Sequence, residues 1–289
     1  MLNNQPSSHE KRIITNATHL DQQAITQFLR QNHRIHRHLD WFNTIEWIGE
    51  KPFLIERNQQ GIEAVFLAVP EVPEATWVRL FCIRNSQSIE TSWDRLLNKT
   101  IKILKSMEIK ALAALASSQW FLSLLNDWDF KHINTIIALE RKVQSVPKVI
   151  IESPLEIHPM NEVDLKEITH LDHVAFKPIW QISLSSLHKA FHQQGCATVA
   201  VINKKIVGYQ ISTYLGKQGH LARLAVLPEQ QGKNIASALV SDLLVRFAEK
   251  NITHITVNTQ IDNLPSQAVY SKLGFFKTGE TIPVYQRVL

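Results

Sequence analysis

Apolar runs of strand length alternate with helical segments along the whole chain, and this alternation restricts its fold more than any other feature. Runs such as Ile62–Val69 and Ala197–Ile202 have the length of buried strands and end at turn residues. In the helix predicted over Asn234–Lys250, the apolar face consists of Ile235, Leu239, Leu243 and Phe247. The pattern predicts an α/β (α+β) protein in which helices cover sheets.

The two halves of the chain repeat this order of elements. Arg79 begins a segment of strand, helix, strand and helix that ends at Phe130, and Arg223 begins a similar segment that ends at Phe275. The repetition indicates an internal duplication. A length of 289 residues accommodates two domains of ordinary size. The polar run Arg141–Lys148 contains a proline and is predicted to link them.

Composition argues against several classes of function. The net charge is only +5, and the most basic run, Arg30–His38, falls on a helix predicted over His19–Leu39, where a solvated face explains it. We therefore expect no nucleic-acid partner. Cys82 and Cys196 are the only cysteines and neither lies in a CxxC motif, so we expect reduced thiols and no metal site. Residues 1–10 form a polar tail expected to be disordered.

The sequence also shows no pattern typical of a targeting segment. The N-terminal residues lack the apolar stretch of a signal peptide, and no uncharged apolar run reaches the length of a membrane span. We therefore expect a cytoplasmic protein without a membrane partner.

One segment has the composition of a phosphate-binding loop. A strand ends at Leu227-Pro228, a polar loop follows, and a helix begins near Asn234. Backbone N–H groups at such a helix start attract anions. The small residues Gly232 and Ala236 would admit a pyrophosphate. An ordinary surface turn explains this segment alone equally well.

A second segment follows the next strand. A short helix over Pro265–Leu273 carries Tyr270 and ends at Gly274, which is followed by Phe275. A tyrosine in this position either packs on the helix face or donates a proton to a departing thiolate.

Together the two segments resemble the GNAT N-acetyltransferase superfamily. Its pattern Gln/Arg-x-x-Gly-x-Gly/Ala corresponds to Gln231–Ala236, with Asn234 in place of the central glycine and a lead-in at Val226 and Pro228. The later family pattern is matched by Asn263, Tyr270, Leu273, Gly274 and Phe275. The resemblance covers roughly residues 197–276.

The resemblance implies two GNAT-like domains, each with a mixed, mostly antiparallel sheet that has helices on both faces. Residues 11–145 would be a degenerate domain without a cofactor loop. Residues 146–289 would be the acetyl-CoA-binding catalytic domain, with a sheet that splays near Val226. Residues Phe176–Gln181 would line the acceptor pocket, with Trp180 either as a pocket wall or as part of the core.

The resemblance also implies site roles. Acetyl-CoA would donate its acetyl group to a primary amine by direct attack, without a metal. Backbone groups of Leu224, Ala225 and Val226 would bind the pantetheine, with Asn263 nearby. The phosphates would lie on Gln231, Gly232, Lys233, Asn234, Ile235 and Ala236. Tyr270 would be the general acid. His220 is a candidate base; a bystander histidine and a water relay remain alternatives.

Three functions remain open. The leading one is an N-acetyltransferase that acts on a small-molecule amine or a protein N-terminus. The second is a non-catalytic acyl-CoA-binding or sensing protein. The third, transfer from an aminoacyl-tRNA, is disfavoured by the phosphate loop, which relatives of that kind generally lack.

Overall fold

A computed structural model describes residues 12–31, 34–85, 87–142, 149 and 154–289. The chain divides into two compact units. The first extends to Lys131 and includes Gln286–Leu289, and the second is His132–Tyr285. The domain boundary at 145/146 stays a prediction. The proposed tail, residues 1–10, and residues 143–148 of the predicted linker lie outside the described residues. The linker prediction is wrong at Arg141 and Lys142, which belong to the strand Lys131–Lys142.

The first unit contains a sheet with the strand order β1-β3-β4-β6-β2, in which all neighbours are antiparallel. Outside this five-stranded sheet, β5 and β7 pair in parallel. The strands are β1 (Ile13–Asn16), β2 (Arg34–Arg37), β3 (Phe53–Asn58), β4 (Gly61–Leu67), β5 (Ala75–Trp77), β6 (Leu80–Ile83) and β7 (Ala111–Leu115). The helices are α1 (Gln22–Arg30), α2 (Ile89–Ser106) and α3 (Gln119–Asp127).

The helix predicted over His19–Leu39 is wrong in its second half, because α1 ends at Arg30 and β2 pairs with β6. The prediction that the basic run forms a solvated face is also wrong at His36, which is buried and stacks on Phe121 with ring centroids 3.8 Å apart. Burial lowers the pKa of His36 to about 4, so the ring is neutral. Strand pairing and core packing, both tertiary, override the local helical pattern.

In the second unit the strands follow the order β14-β8-β13-β12-β11-β10-β9. They are β8 (Lys131–Lys142), β9 (Glu156–Pro159), β10 (Cys196–Ile202), β11 (Lys205–Leu215), β12 (Gln218–Val226), β13 (His254–Gln260) and β14 (Phe276–Val288). The helices are α4 (Leu165–Ala175), α5 (Leu184–Gln193), α6 (Ile235–Glu249) and α7 (Leu264–Lys272). The parallel pair β12–β13 lies among antiparallel neighbours. The sequence analysis did not predict β14.

Helices cover both faces of this sheet. The Tyr209 hydroxyl of β11 contacts Asp172 of α4, whereas a Cβ at the adjacent Gly208 would lie 3.3 Å from Leu239 of α6. Because successive residues of a strand point to opposite faces, α4 and α6 lie on opposite sides. The predicted fold class is therefore confirmed.

The central strands β12 and β13 separate partway along their length. Their pairing runs from Gln218 opposite His254 to Leu221 opposite Val257. At the next residue, Ala222, the register of β12 against β11 shifts, which is the mark of a β-bulge. The split thus begins after Leu221 and extends to Val226, somewhat earlier than the sequence predicted.

Close packing at Gly219 gives a stability prediction. A Cβ at this residue would lie 2.3 Å from the ring of Phe247, which is fully buried. We expect Gly219→Ala to reduce the free energy of unfolding by about 1–3 kcal/mol through overpacking, measured by urea denaturation. Gly195→Ala is the matched control, because its Cβ would lie equally close, at 2.3 Å, to the ring of Tyr214, which is 44% exposed rather than buried. Equal losses in the two variants would contradict the explanation.

Candidate functional site

A pocket of about 430 Å³ lies beside the split between β12 and β13. It is formed by the end of β12, the loop after it and the first turns of α6 and α7. Every predicted cofactor-binding residue except Lys233 lines it. The lining residues are Ala175, Phe176, Leu224, Ala225, Val226, Gln230, Gln231, Gly232, Asn234, Ile235, Ala236, Ser237, Asn263, Pro265, Ser266 and Val269.

The loop between β12 and α6 is shaped by two left-handed residues. Gly232 has φ 77°, and Asn234 has φ 61° and ψ 11°. Asparagine adopts this region more readily than other non-glycine residues, which explains how it replaces the family's glycine without disrupting the loop. The Gln231 side chain closes the loop by donating from Nε2 to the Val226 carbonyl at 3.1 Å.

The start of α6 presents backbone donors to the pocket. Asn234 is the N-cap residue of α6, but its side chain does not cap the helix, and its carbonyl accepts from Ala238 N at 2.9 Å. Helix geometry leaves the N–H groups of the first turn without intrahelical acceptors. Their residues, Ile235, Ala236 and Ser237, line the pocket. Together with the positive end of the helix dipole, this arrangement favours an anion.

Lysines add positive charge around the loop. Lys233 Nζ donates to Gln230 Oε1 at 2.8 Å. Lys272 of α7 donates from Nζ to Asn234 Oδ1 at 3.0 Å. The side chain that replaces the family's glycine is therefore held by a lysine from the second motif.

The first unit differs from the second at the start of its corresponding helix, α2. The Ser88 side chain caps α2 by accepting from Thr91 N at 3.4 Å. In α2, a backbone N–H group of the first turn therefore has a side-chain acceptor. In α6, the Asn234 side chain provides no such acceptor, and the first-turn donors face the pocket.

Asn263 and Tyr270 have different surroundings on α7. Asn263 lines the pocket, but its Oδ1 caps the helix by accepting from Ser266 N at 3.2 Å. Tyr270 is 4% exposed, packs against Phe275 in a tilted arrangement with ring centroids 5.6 Å apart, and does not line the pocket. Burial raises the pKa of Tyr270, so the phenol stays protonated and is a donor rather than a base.

His220 lies on the paired half of β12, before the split. Its Nδ1 is 2.8 Å from Thr256 Oγ1 on β13, and burial lowers its pKa. His220 is not among the pocket-lining residues, so the structure does not bring it together with the predicted cofactor-binding residues.

The sequence analysis missed a buried ion-pair network beside the pocket. Arg223 of β12 donates from Nε and Nη2 to the two carboxylate oxygens of the fully buried Asp172, each at 2.7 Å. The Tyr209 hydroxyl donates to Asp172 Oδ2 at 2.5 Å, and burial raises the pKa of this phenol well above its usual value. The sequence signal for this network was Arg223 within the otherwise apolar strand segment Leu221–Val226, because a charge in a buried strand requires a partner.

This network holds the end of α4 against β12. Arg223 Nη2 also donates to the carbonyl of Trp180 at 2.7 Å, and its guanidinium lies 4.2 Å from the centroid of the Phe176 ring. Phe176 lines the pocket, whereas Trp180 is half-buried and does not. Asp172 and Arg223 therefore position a pocket wall.

None of the helices that the structure describes combines the length and apolar composition needed to cross a bilayer.

Comparison with known proteins identifies the second unit. Residues 165–275 match the sequence model described as the acetyltransferase (GNAT) family. An uncharacterised N-acetyltransferase from Methanocaldococcus jannaschii is 26% identical over 130 residues, which cover 45% of this chain and 82% of that protein.

Two solved structures share the fold of nearly the whole chain. A GCN5-related N-acetyltransferase from Sphaerobacter thermophilus has a TM-score of 0.61 at 12% identity, covering 96% of this chain and 95% of that one. A tandem GNAT protein from the clavulanic acid biosynthesis pathway has a TM-score of 0.63 at 11% identity, covering 96% and 98%. Residues 165–275 therefore form a domain of the GNAT acetyltransferase family, in a chain whose fold is that of tandem GNAT proteins.

Proposed function

We propose that the second unit binds acetyl-CoA and transfers its acetyl group to a primary amine. The observation that carries this proposal is the uncapped start of α6, which presents backbone donors to the pocket beside the split strands. The pyrophosphate would accept hydrogen bonds from the loop and the first turn of α6. Lys233 and Lys272 would balance its charge.

The free edge of β12 suits the pantetheine arm. Beyond Leu221, β12 no longer pairs with β13, so backbone groups of Leu224–Val226 on that side are available to a ligand, apart from the Val226 carbonyl that accepts from Gln231. A chain with amide groups can occupy such an edge as an added strand would. An N–H group from this edge would also polarise the thioester carbonyl.

The chemistry proposed is one displacement. The amine nitrogen attacks the thioester carbon, the C–S bond breaks, and the thiolate of CoA leaves. Tyr270, kept protonated by burial, would donate a hydrogen bond to the departing sulfur. His220 lies on the half of β12 that still pairs with β13, and its Nδ1 contacts Thr256, so we assign no protein base and propose that water accepts the proton lost by the amine.

The first unit is proposed to have no cofactor site. This proposal is supported by the Ser88 side chain, which caps α2 by accepting from the backbone N–H of Thr91. The start of α6 has no equivalent side-chain cap from its N-cap residue. The predicted acceptors, a small-molecule amine or a protein N-terminus, and the cytoplasmic location remain proposals.

A non-catalytic acyl-CoA-binding protein is the second candidate. The observation that favours it is Asn234, whose side chain occupies the position of a family glycine and is bonded to Lys272. Binding of acetyl-CoA without turnover on a panel of small amines and peptide N-termini would favour this candidate over the enzyme.

Isothermal titration with acetyl-CoA tests the site. We expect binding by the intact protein and at least about tenfold weaker binding by Gln231→Glu, because the carboxylate loses the donor to Val226 and repels the phosphates. Gln60→Glu, the same change in an exposed turn of the first unit, should bind like the intact protein. Failure of the intact protein to bind would overturn the proposal.

A further inference from the structure

Three metal-ligating side chains converge on the surface of the second unit, outside the pocket. His188 and His192 are one helical turn apart on α5. Glu162 belongs to the 3-10 turn Glu162–Asp164 that precedes α4. All three residues are exposed, and their ligating atoms lie within 4.8 Å of one another.

The distances between these atoms match the ligand shell of a single ion. Glu162 Oε1 lies 2.9 Å from His188 Nε2 and 3.8 Å from His192 Nε2, and the two nitrogens are 3.2 Å apart. In a tetrahedral zinc site, bonds of about 2.1 Å place neighbouring ligand atoms about 3.4 Å apart. The three observed separations lie around this value.

The ligand types agree with the geometry. Two histidines at i and i+4 share a helix face, and with a carboxylate they form a donor set that suits zinc and related ions. His158 and Glu156 also approach within 3.0 Å, but they belong to no such group of three among the described residues. The triad therefore differs from an ordinary histidine–glutamate pair in having a third ligating side chain.

We propose that Glu162, His188 and His192 bind a divalent transition-metal ion of the zinc type. Three protein ligands leave a fourth position for water. The ion would tie α5 to the turn that starts α4, the helix that carries Asp172. The sequence analysis expected no metal, and the HxxxH spacing at 188 and 192 was the signal it did not use. This site is independent of acetyl transfer.

Metal titration of the full chain tests the proposal. The protein is freed of affinity tags, stripped with a chelator and titrated with zinc chloride by calorimetry. We expect one equivalent to bind and His192→Gln or Glu162→Gln to weaken the affinity at least tenfold. His158→Gln, which alters an exposed histidine–glutamate pair without a third ligand, should keep the affinity of the intact protein.

Cobalt provides a second readout, because visible absorption of bound Co²⁺ reports its coordination. We expect an absorption band that saturates at one equivalent in the intact protein and in His158→Gln, and that is lost in His192→Gln. Melting temperatures without metal verify that the exposed substitutions leave the fold intact. No stoichiometric zinc binding, or equal losses in His192→Gln and His158→Gln, would overturn the site.

Discussion

The Asp172→Asn variant is expected to lose about 3–5 kcal/mol of the free energy of unfolding of the second unit. Asp172 is fully buried, and its carboxylate accepts from Arg223, Tyr209 and the backbone N–H of Ile182. Asparagine removes the charge that balances the Arg223 guanidinium, whose side chain is 19% exposed. Its amide group also places a donor where the carboxylate accepts.

Urea denaturation of the full chain measures this loss, with hydrogen exchange of residues 205–226 assigning it to the second unit. Asp242→Asn is the matched control, because Asp242 pairs with Arg246 one turn away on the surface of α6. Such a pair contributes about 0.3–0.5 kcal/mol. Similar losses in the two variants would mean that the buried network does not stabilise the unit.

A double-mutant cycle separates charge pairing from packing. Arg223→Met and Asp172→Leu each leave the partner's charge without its counter-ion, and each should be strongly destabilising by itself. The combination of Arg223→Met with Asp172→Leu should recover much of the loss, because apolar residues often replace a buried ion pair at little cost. If the two single losses simply add in the double variant, Asp172 and Arg223 are not coupled.

The Tyr270→Phe variant is expected to reduce kcat for acetyl transfer by about 10²-fold while acetyl-CoA affinity stays nearly unchanged. Burial keeps the phenol protonated, so it can donate a hydrogen bond to the developing thiolate. The raised pKa makes complete proton transfer to sulfur less favourable, and therefore the hydrogen bond is the contribution expected. Removing one oxygen atom preserves the packing against Phe275.

Steady-state assays of thiol release, together with acetyl-CoA titration, measure this effect once an amine acceptor has been found. Tyr214→Phe is the control, because it removes the same oxygen atom from a tyrosine that is 44% exposed and lies on β11 rather than on α7. An unchanged kcat in Tyr270→Phe would remove the tyrosine from the proposed chemistry. A loss of binding equal to the loss of kcat would assign it a packing role instead.

Local sequence patterns predicted most of the second unit. The helix predicted over Asn234–Lys250 is observed as α6, and the loop before it lines the pocket together with Asn263. These predictions succeeded because both signals are local: a periodic apolar face, and the glycine and asparagine residues that a left-handed loop requires.

Predictions that depended on long-range pairing were weaker. In the run Arg34–Arg37, pairing with Leu80–Ile83 produced a strand where the local pattern indicated a helix. The separation of β12 and β13 after Leu221 likewise depends on a register shift against β11. In neither case does a short stretch of sequence contain both of the strands that pair.

The sequence by itself determined the order of elements from α4 to α7 and the composition of the loop at Gln231–Ala236, because backbone preferences and apolar periodicity act over a few residues. The tertiary structure decided which polar side chains meet. Asp172 and Arg223 lie 51 residues apart, and Glu162 lies 26 residues from His188. It also placed His220 outside the pocket lining and buried Tyr270 against Phe275. Such contacts depend on how strands and helices pack, which no local pattern specifies.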